Sequence, residues 1–287
     1  MTEPSSIGPL VSSDWLAGRL REPKIRIIDA SWYLPQTGRD ARAEYAAAHL
    51  PGAVFFDLDA TSDQSTPLPH MLPDPDTFAE RVSQLGIDSE STVVVYDGSG
   101  VNLSAPRAWW TFQVFGHERV AVLDGGLGKW RGEGRPLDAG AVFRPRGRFT
   151  ARLNPALVRD LAAMKQNHTQ QSEQVVDLRS AGRFAGTEPE PRPGLRGGHL
   201  PGSLNLPFTE LVNPDGTVLP PARLRERMER AGIDLSRPVV ASCGSGTTAC
   251  ALILSLHLLD HTANAVYDGS WSEWGGREDL PLERGRD

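Results

Sequence analysis

Val239-Val240-Ala241-Ser242-Cys243-Gly244-Ser245-Gly246 stands 146 residues (239 − 93) after Val93-Val94-Val95-Tyr96-Asp97-Gly98-Ser99-Gly100. Each octet starts as an apolar run and ends in a Gly-rich turn, the pattern of a buried strand running into a tight loop. The likeness extends outward from these octets. Ile27-Ile28-Asp29 returns as Val175-Val176-Asp177, and His49-Leu50-Pro51-Gly52-Ala53 returns as His199-Leu200-Pro201-Gly202-Ser203. Val122-Leu123-Asp124-Gly125-Gly126 with Trp130 returns as Val266-Tyr267-Asp268-Gly269-Ser270 with Trp274. Blocks in one order at a nearly constant offset mark two copies of one domain, because a solenoid repeat would be far shorter. The division expected is a domain over residues 1–138, a linker rich in Arg, Gly and Pro over 139–154, and a second domain over 155–287.

Within the second copy, strands are expected at 174–178, 237–242 and 266–267, with helices at 221–231 and 247–259. Short, wholly apolar strands separated by helices imply an α/β fold, a mainly parallel sheet with helices on both faces. Residues 62–75 and 186–198 are long, polar and Pro-rich, so they read as loops of the kind that carry function.

Bulk composition narrows the function classes. The chain has 287 residues, 39% hydrophobic and 23% charged, with a net charge of −6. That balance argues against a nucleic-acid or anionic-membrane surface, both of which need clustered cationic charge. Two cysteines, Cys243 and Cys250, are too few for a disulfide-stapled domain or a structural zinc site. The segment Met1 to Gly8 shows no basic-then-apolar leader pattern, and the apolar run 249–259 is far shorter than the roughly 20 residues of a membrane span. A cytoplasmic location is expected, as is a monomer.

The chemistry centres on the second octet. In an open parallel sheet, ligands bind beyond the carboxyl ends of the strands, where Cys243 stands. Gly244 and Gly246 permit backbone torsions closed to other residues, so successive N–H groups can form an anion-binding nest. The helix that follows adds its free N–H groups and the positive end of its dipole. A cysteine there is expected to be held as a thiolate, and the same cradle suits a persulfide anion. Cys250, inside the apolar helix, reads as a core residue. The first copy has Asp97 in place of Cys243, and a carboxylate cannot carry a transferable sulfur, so that copy is expected to be catalytically silent.

These features resemble the tandem-domain rhodanese-like sulfurtransferases, over nearly the whole chain. Within that family the loop Cys243-Gly-Ser-Gly-Thr-Thr248 is most similar to the Cys-Gly-Ser-Gly-Val-Thr loop of the branch that uses 3-mercaptopyruvate. The stretch Gly182-Arg183-Phe184-Ala185-Gly186-Thr187-Glu188-Pro189-Glu190-Pro191-Arg192 looks like the same branch, as do Ser31-Trp32-Tyr33-Leu34-Pro35, Phe55-Phe56-Asp57-Leu58-Asp59 and His70-Met71-Leu72-Pro73. The resemblance implies Cys243 as nucleophile, with Ser245, Asp59 and His70 as a catalytic relay. It also implies Arg183 and Arg192 as the cations that hold the donor's carboxylate and keto group, beside Gly244, Gly246, Thr247 and Thr248 of the loop. Guanidinium forks suit a planar α-keto acid. An ion pair of the arginines with Glu188 or Glu190 is the plainer alternative. Thr247 departs from the family's valine.

The implied reaction moves sulfur from 3-mercaptopyruvate through a Cys243 persulfide to cyanide, a small thiol or thioredoxin, with no metal or organic cofactor. Two rivals stand beside it. A thiosulfate:cyanide sulfurtransferase would use the same thiol, although thiosulfate-using loops tend to carry basic residues after the cysteine and this one has none. A non-enzymatic pair of binding domains would make Cys243 expendable. A cysteine phosphatase would need an arginine at position 249, which is Ala249.

Overall fold

The computed structural model describes residues 7–285. Most of the N-terminal stretch read as lacking a leader lies outside the described residues. The chain forms two compact units. The first contains residues 7–63, Pro73–Asn154 and Val212–Val218; the second contains Gln64–Leu72, Pro155–Leu211 and residues 219–285.

The first unit is built on strands β1 (Leu10–Val11), β2 (Ile25–Asp29), β3 (Val54–Phe55), β4 (Thr92–Tyr96) and β5 (Val120–Leu123). The second unit has β6 (Val158–Arg159), β7 (Gln174–Asp177), β8 (Leu204–Asn205), β9 (Val239–Ser242) and β10 (Asn264–Tyr267). The sheet orders are β1-β5-β4-β2-β3 and β6-β10-β9-β7-β8, so each position in one sheet has its counterpart in the other. Every strand pairing in both sheets is parallel. The α/β duplication expected from the repeat is therefore present.

The all-apolar strands explain the layering. In β5, β9 and β10 every residue is buried, and alternate side chains point to opposite faces, so both faces must be covered. The expected helices appear as Pro221–Arg230 and Ala249–His257, each within two residues of expectation at either end. Strand β8 and strand β6 have only two residues each, too short for a periodic signal.

The segment read as a linker behaves otherwise. Residues 141–154 form no helix or strand, but they lie along the first unit. Phe149 is buried with its ring 5.7 Å from Phe78 and 5.9 Å from Phe112, and its N–H donates to Ser83 Oγ at 3.1 Å. One buried aromatic in an otherwise polar, Gly- and Pro-rich stretch gives no period, yet it anchors the segment together with backbone hydrogen bonds from Gly147 N–H to Ser83 O at 2.8 Å and from Arg152 N–H to Phe115 O at 3.0 Å.

The expected boundaries also miss two short exchanges. Val212–Val218 belongs to the first unit, where Val218 N–H donates to Asp124 Oδ1 at 2.8 Å and Gly216 O accepts from Asn102 Nδ2 at 2.8 Å. Gln64–Leu72 belongs to the second, where Leu72 N–H donates to Asp268 Oδ2 at 2.8 Å. His70, placed by sequence in the first domain, is thus part of the second unit. Among the described residues, no helix is long and apolar enough to cross a membrane.

Candidate active site

Strand β9 delivers Cys243 to the carboxyl edge of its sheet, where its side chain is buried. The backbone around it is fixed from the short helix Ser270–Trp274 that follows β10. Cys243 N–H donates to Ser270 Oγ at 3.2 Å, and Cys243 O accepts from Trp271 N–H at 3.0 Å. Gly244 O accepts both the N–H and the hydroxyl of Ser272, at 2.8 and 2.7 Å. The two loop glycines serve different needs. Gly246 has φ +74°, the left-handed torsion expected of a nest. Gly244 does not; there the requirement is space, since a Cβ would stand 3.0 Å from Arg183 Nη2 and 3.8 Å from Arg192 Nη1. The two guanidinium groups expected to grip the donor are therefore gathered on the residue after the nucleophile.

Thr248 occupies the cap position of helix Ala249–His257, and its carbonyl accepts from Ala251 N–H at 3.1 Å. Cys250 is wholly buried and its thiol donates to Gly246 O at 3.3 Å, consistent with a core residue that also braces the loop.

His70 is buried and holds a positive φ of 62°, uncommon for a residue with a side chain. Its Nδ1 lies 2.9 Å from Ser245 Oγ and 2.9 Å from Thr247 Oγ1, and the two hydroxyls are 3.5 Å apart. Thr247, expected only as a loop residue beside the donor, supplies a second hydroxyl to the imidazole. Asp59 lies in the first unit, in helix Leu58–Thr61, with Oδ2 accepting the indole N–H of Trp32 at 2.9 Å. Cys243, Ser245, Thr247, His70, Arg183 and Arg192 all fall within the second unit.

Arg183 projects from the short helix Ala181–Ala185 and is also ion-paired. Its Nη2 donates to Glu190 Oε2 at 2.6 Å and its Nε to the same oxygen at 3.2 Å. The plainer alternative, an ion pair with Glu190, is therefore present, and the same Nη2 also borders Gly244.

Glu190 also accepts from Arg179 Nη1 at 2.6 Å, and Arg179 Nη2 donates to Asp177 Oδ2 at 2.6 Å and to Gly198 O at 2.8 Å. The Arg179 guanidinium stacks 4.4 Å from the Trp271 ring centroid. Burial opposes the Arg179 charge, but Asp177 and then Glu190 more than restore it, and its pKa stands above the ordinary value. Sequence reading passed over Arg179. A signal existed in the repeat, where Asp177-Leu178-Arg179 faces Asp29-Ala30-Ser31 of the first copy.

The first copy shows what its own loop does with Asp97. The buried carboxylate accepts from Ser99 N–H at 2.8 Å and Ser99 Oγ at 2.5 Å through Oδ1. Its Oδ2 accepts from the N–H groups of Ser104 and Ala105 at 2.9 and 2.8 Å. The loop and the start of helix Ala105–Val114 are thus filled by the chain's own anion.

Two parallel sheets of one order, with a thiol at the sheet edge of the second, define a duplicated rhodanese fold. The rhodanese-like domain model matches residues 12–133 and 158–277, and the chain belongs to that family. It is 45% identical to the 3-mercaptopyruvate sulfurtransferase of Homo sapiens over 96% of this chain and 94% of that one. It is also 45% identical to the mitochondrial thiosulfate/3-mercaptopyruvate sulfurtransferase 1 of Arabidopsis thaliana, over 97% of this chain and 79% of that one. Among solved structures, that of SseA from Escherichia coli, a 3-mercaptopyruvate sulfotransferase, superposes with a TM-score of 0.85 at 41% identity, covering 92% of this chain and 99% of that one. The chain is a sulfurtransferase.

Proposed function

We propose that the protein takes sulfur from 3-mercaptopyruvate onto Cys243 and passes it to a thiol, thioredoxin or cyanide. The carrying observation is the meeting of Arg183 and Arg192 on Gly244, directly after a buried cysteine, in a loop that has no cation of its own. Two forks suit a monoanionic α-keto acid, whose carboxylate and carbonyl oxygens lie in one plane.

In the first half-reaction the Cys243 thiolate attacks the donor sulfur and the carbon–sulfur bond breaks. Its electron pair leaves on carbon as the pyruvate enolate, which then takes a proton. His70, reached by Ser245 and Thr247, is the group that manages protons there. In the second half-reaction the acceptor attacks the outer sulfur and Cys243 leaves as thiolate. No step needs a metal or organic cofactor. The first unit carries no sulfur in this scheme, because Asp97 already occupies its cradle. A free, buried thiol suits a reducing compartment such as the cytoplasm, and a monomer suffices for the steps assigned to the second unit.

The donor is tested by kcat/KM for 3-mercaptopyruvate and for thiosulfate at one acceptor concentration. A clear preference for mercaptopyruvate is expected; a preference for thiosulfate would establish the rival, which the double name of the Arabidopsis relative keeps in view.

The paired hydroxyls on His70 lead to a second expectation. With Ser245 and Thr247 at equal distance from Nδ1, either can hold the imidazole. Ser245→Ala is therefore expected to lower kcat by less than about tenfold, and Ser245→Ala/Thr247→Val by on the order of 100-fold, in steady-state assays. Additive single effects would remove the redundancy.

A further inference from the structure

We propose that Glu190 is the residue that positions the donor-binding arginine and sets the charge of donor that the site accepts. The proposal rests on the reading of Arg183 as a donor contact. Glu190 is buried among cations: its carboxylate is shared between Arg179 and Arg183, at 2.6 Å to each. Arg179 is itself held by Asp177, by Gly198 O and by the face of Trp271. The result is a chain of alternating charge, Asp177, Arg179, Glu190, Arg183, that runs from the end of β7 to the nucleophile loop.

Two consequences follow from this arrangement. The first is orientation. Glu190 engages Nε and one N–H of Nη2, leaving three of the five guanidinium N–H groups of Arg183 for other partners. A side chain with several rotatable bonds is thereby aimed before the donor arrives, which lowers the ordering cost of binding.

The second consequence is charge. Asp177 and Arg179 offset one another, and Glu190 offsets one of the two donor-facing arginines. A buried carboxylate thus lowers the positive charge beside Gly244 by one unit. That unit of charge matters about twice as much to a dianion such as thiosulfate as to the single carboxylate of a mercapto keto acid. Glu190 therefore selects against the dianion while fixing the fork that holds the monoanion.

The test uses the full-length enzyme with both donors. Glu190→Gln keeps the shape and removes the charge. The ratio of kcat/KM for 3-mercaptopyruvate over thiosulfate is expected to fall roughly tenfold or more, the scale of one unit charge across a partly buried site. The change should arise through KM, with KM for mercaptopyruvate rising and KM for thiosulfate falling. Glu190→Asp keeps the charge and should hold the ratio within about threefold of wild type while raising both KM values. Equal loss for both donors on Glu190→Gln, or a shift by Glu190→Asp as large as that by Glu190→Gln, would overturn the proposal.

If circular dichroism shows that Glu190→Gln does not fold, Glu190→Asp decides alone. A ratio held within threefold with raised KM supports the proposal, and a tenfold shift or an unchanged KM ends it. A wild type that prefers thiosulfate would overturn the donor assignment, whereas the response of the ratio to Glu190→Gln would still decide the role of Glu190.

Discussion

Replacing Cys243 with serine is expected to abolish sulfur transfer. Wild-type protein incubated with 3-mercaptopyruvate should gain the mass of one sulfur atom, removable with cyanide, and the Cys243→Ser variant should gain none. The serine hydroxyl is a far weaker nucleophile and forms no persulfide, so the loss in kcat should be on the order of 10⁴ or greater. The fold should be untouched. Cys243 sits where the backbone N–H is held by Ser270 and the carbonyl by Trp271, and neither bond involves the sulfur. Retention of a cyanide-removable sulfur in Cys243→Ser would point to Cys250, whose thiol is engaged with Gly246 O inside the core. Absence of sulfur gain in the wild type would favour a binding domain instead of an enzyme.

The largest stability effect is expected at Arg179. Its side chain is fully buried, as are the carboxylates of Asp177 and Glu190 around it. Arg179→Ala removes the cation, leaving Asp177 without its ion pair and Glu190 with Arg183 alone. Breaking a buried pair from one side costs about 3–5 kcal/mol, because the remaining charge cannot be hydrated. The Trp271 ring also loses its stacked partner. Urea unfolding of Arg179→Ala against wild type measures the cost. The Arg179→Ala/Glu190→Gln double variant should lose less than the two singles summed, since the second change removes one of the two buried carboxylates that Arg179 compensated. A loss below about 1 kcal/mol would mean that water reaches the cluster.

Much of this was legible in the chain. The duplication was written in paired blocks, and the all-apolar β9 and β10 announced a parallel sheet covered on both faces. Cys243 was legible as the candidate nucleophile for a local reason: strand, glycine turn and helix are contiguous, so one short stretch holds both the thiol and the loop around it. Asp97 was legible because the repeat supplied its own comparison. What escaped was small or distant. β6 and β8 have two residues apiece and carry no period. The anchoring of 141–154 rests on one buried ring, Phe149, and on backbone hydrogen bonds such as Gly147 to Ser83 and Arg152 to Phe115, which leave no periodic mark.

The sequence by itself determined the α/β class and the duplication, and it singled out Cys243 as the candidate thiol. Each of these is a matter of residue type or short-range spacing. Only the tertiary structure decided that Arg183 and Arg192 converge on Gly244, that Thr247 shares His70 with Ser245, and that Glu190 spans Arg179 and Arg183. His70 and Ser245 are 175 residues apart along the chain. Such contacts are made by the packing of loops whose ends are set by different strands, and no local periodicity encodes where two such loops will meet.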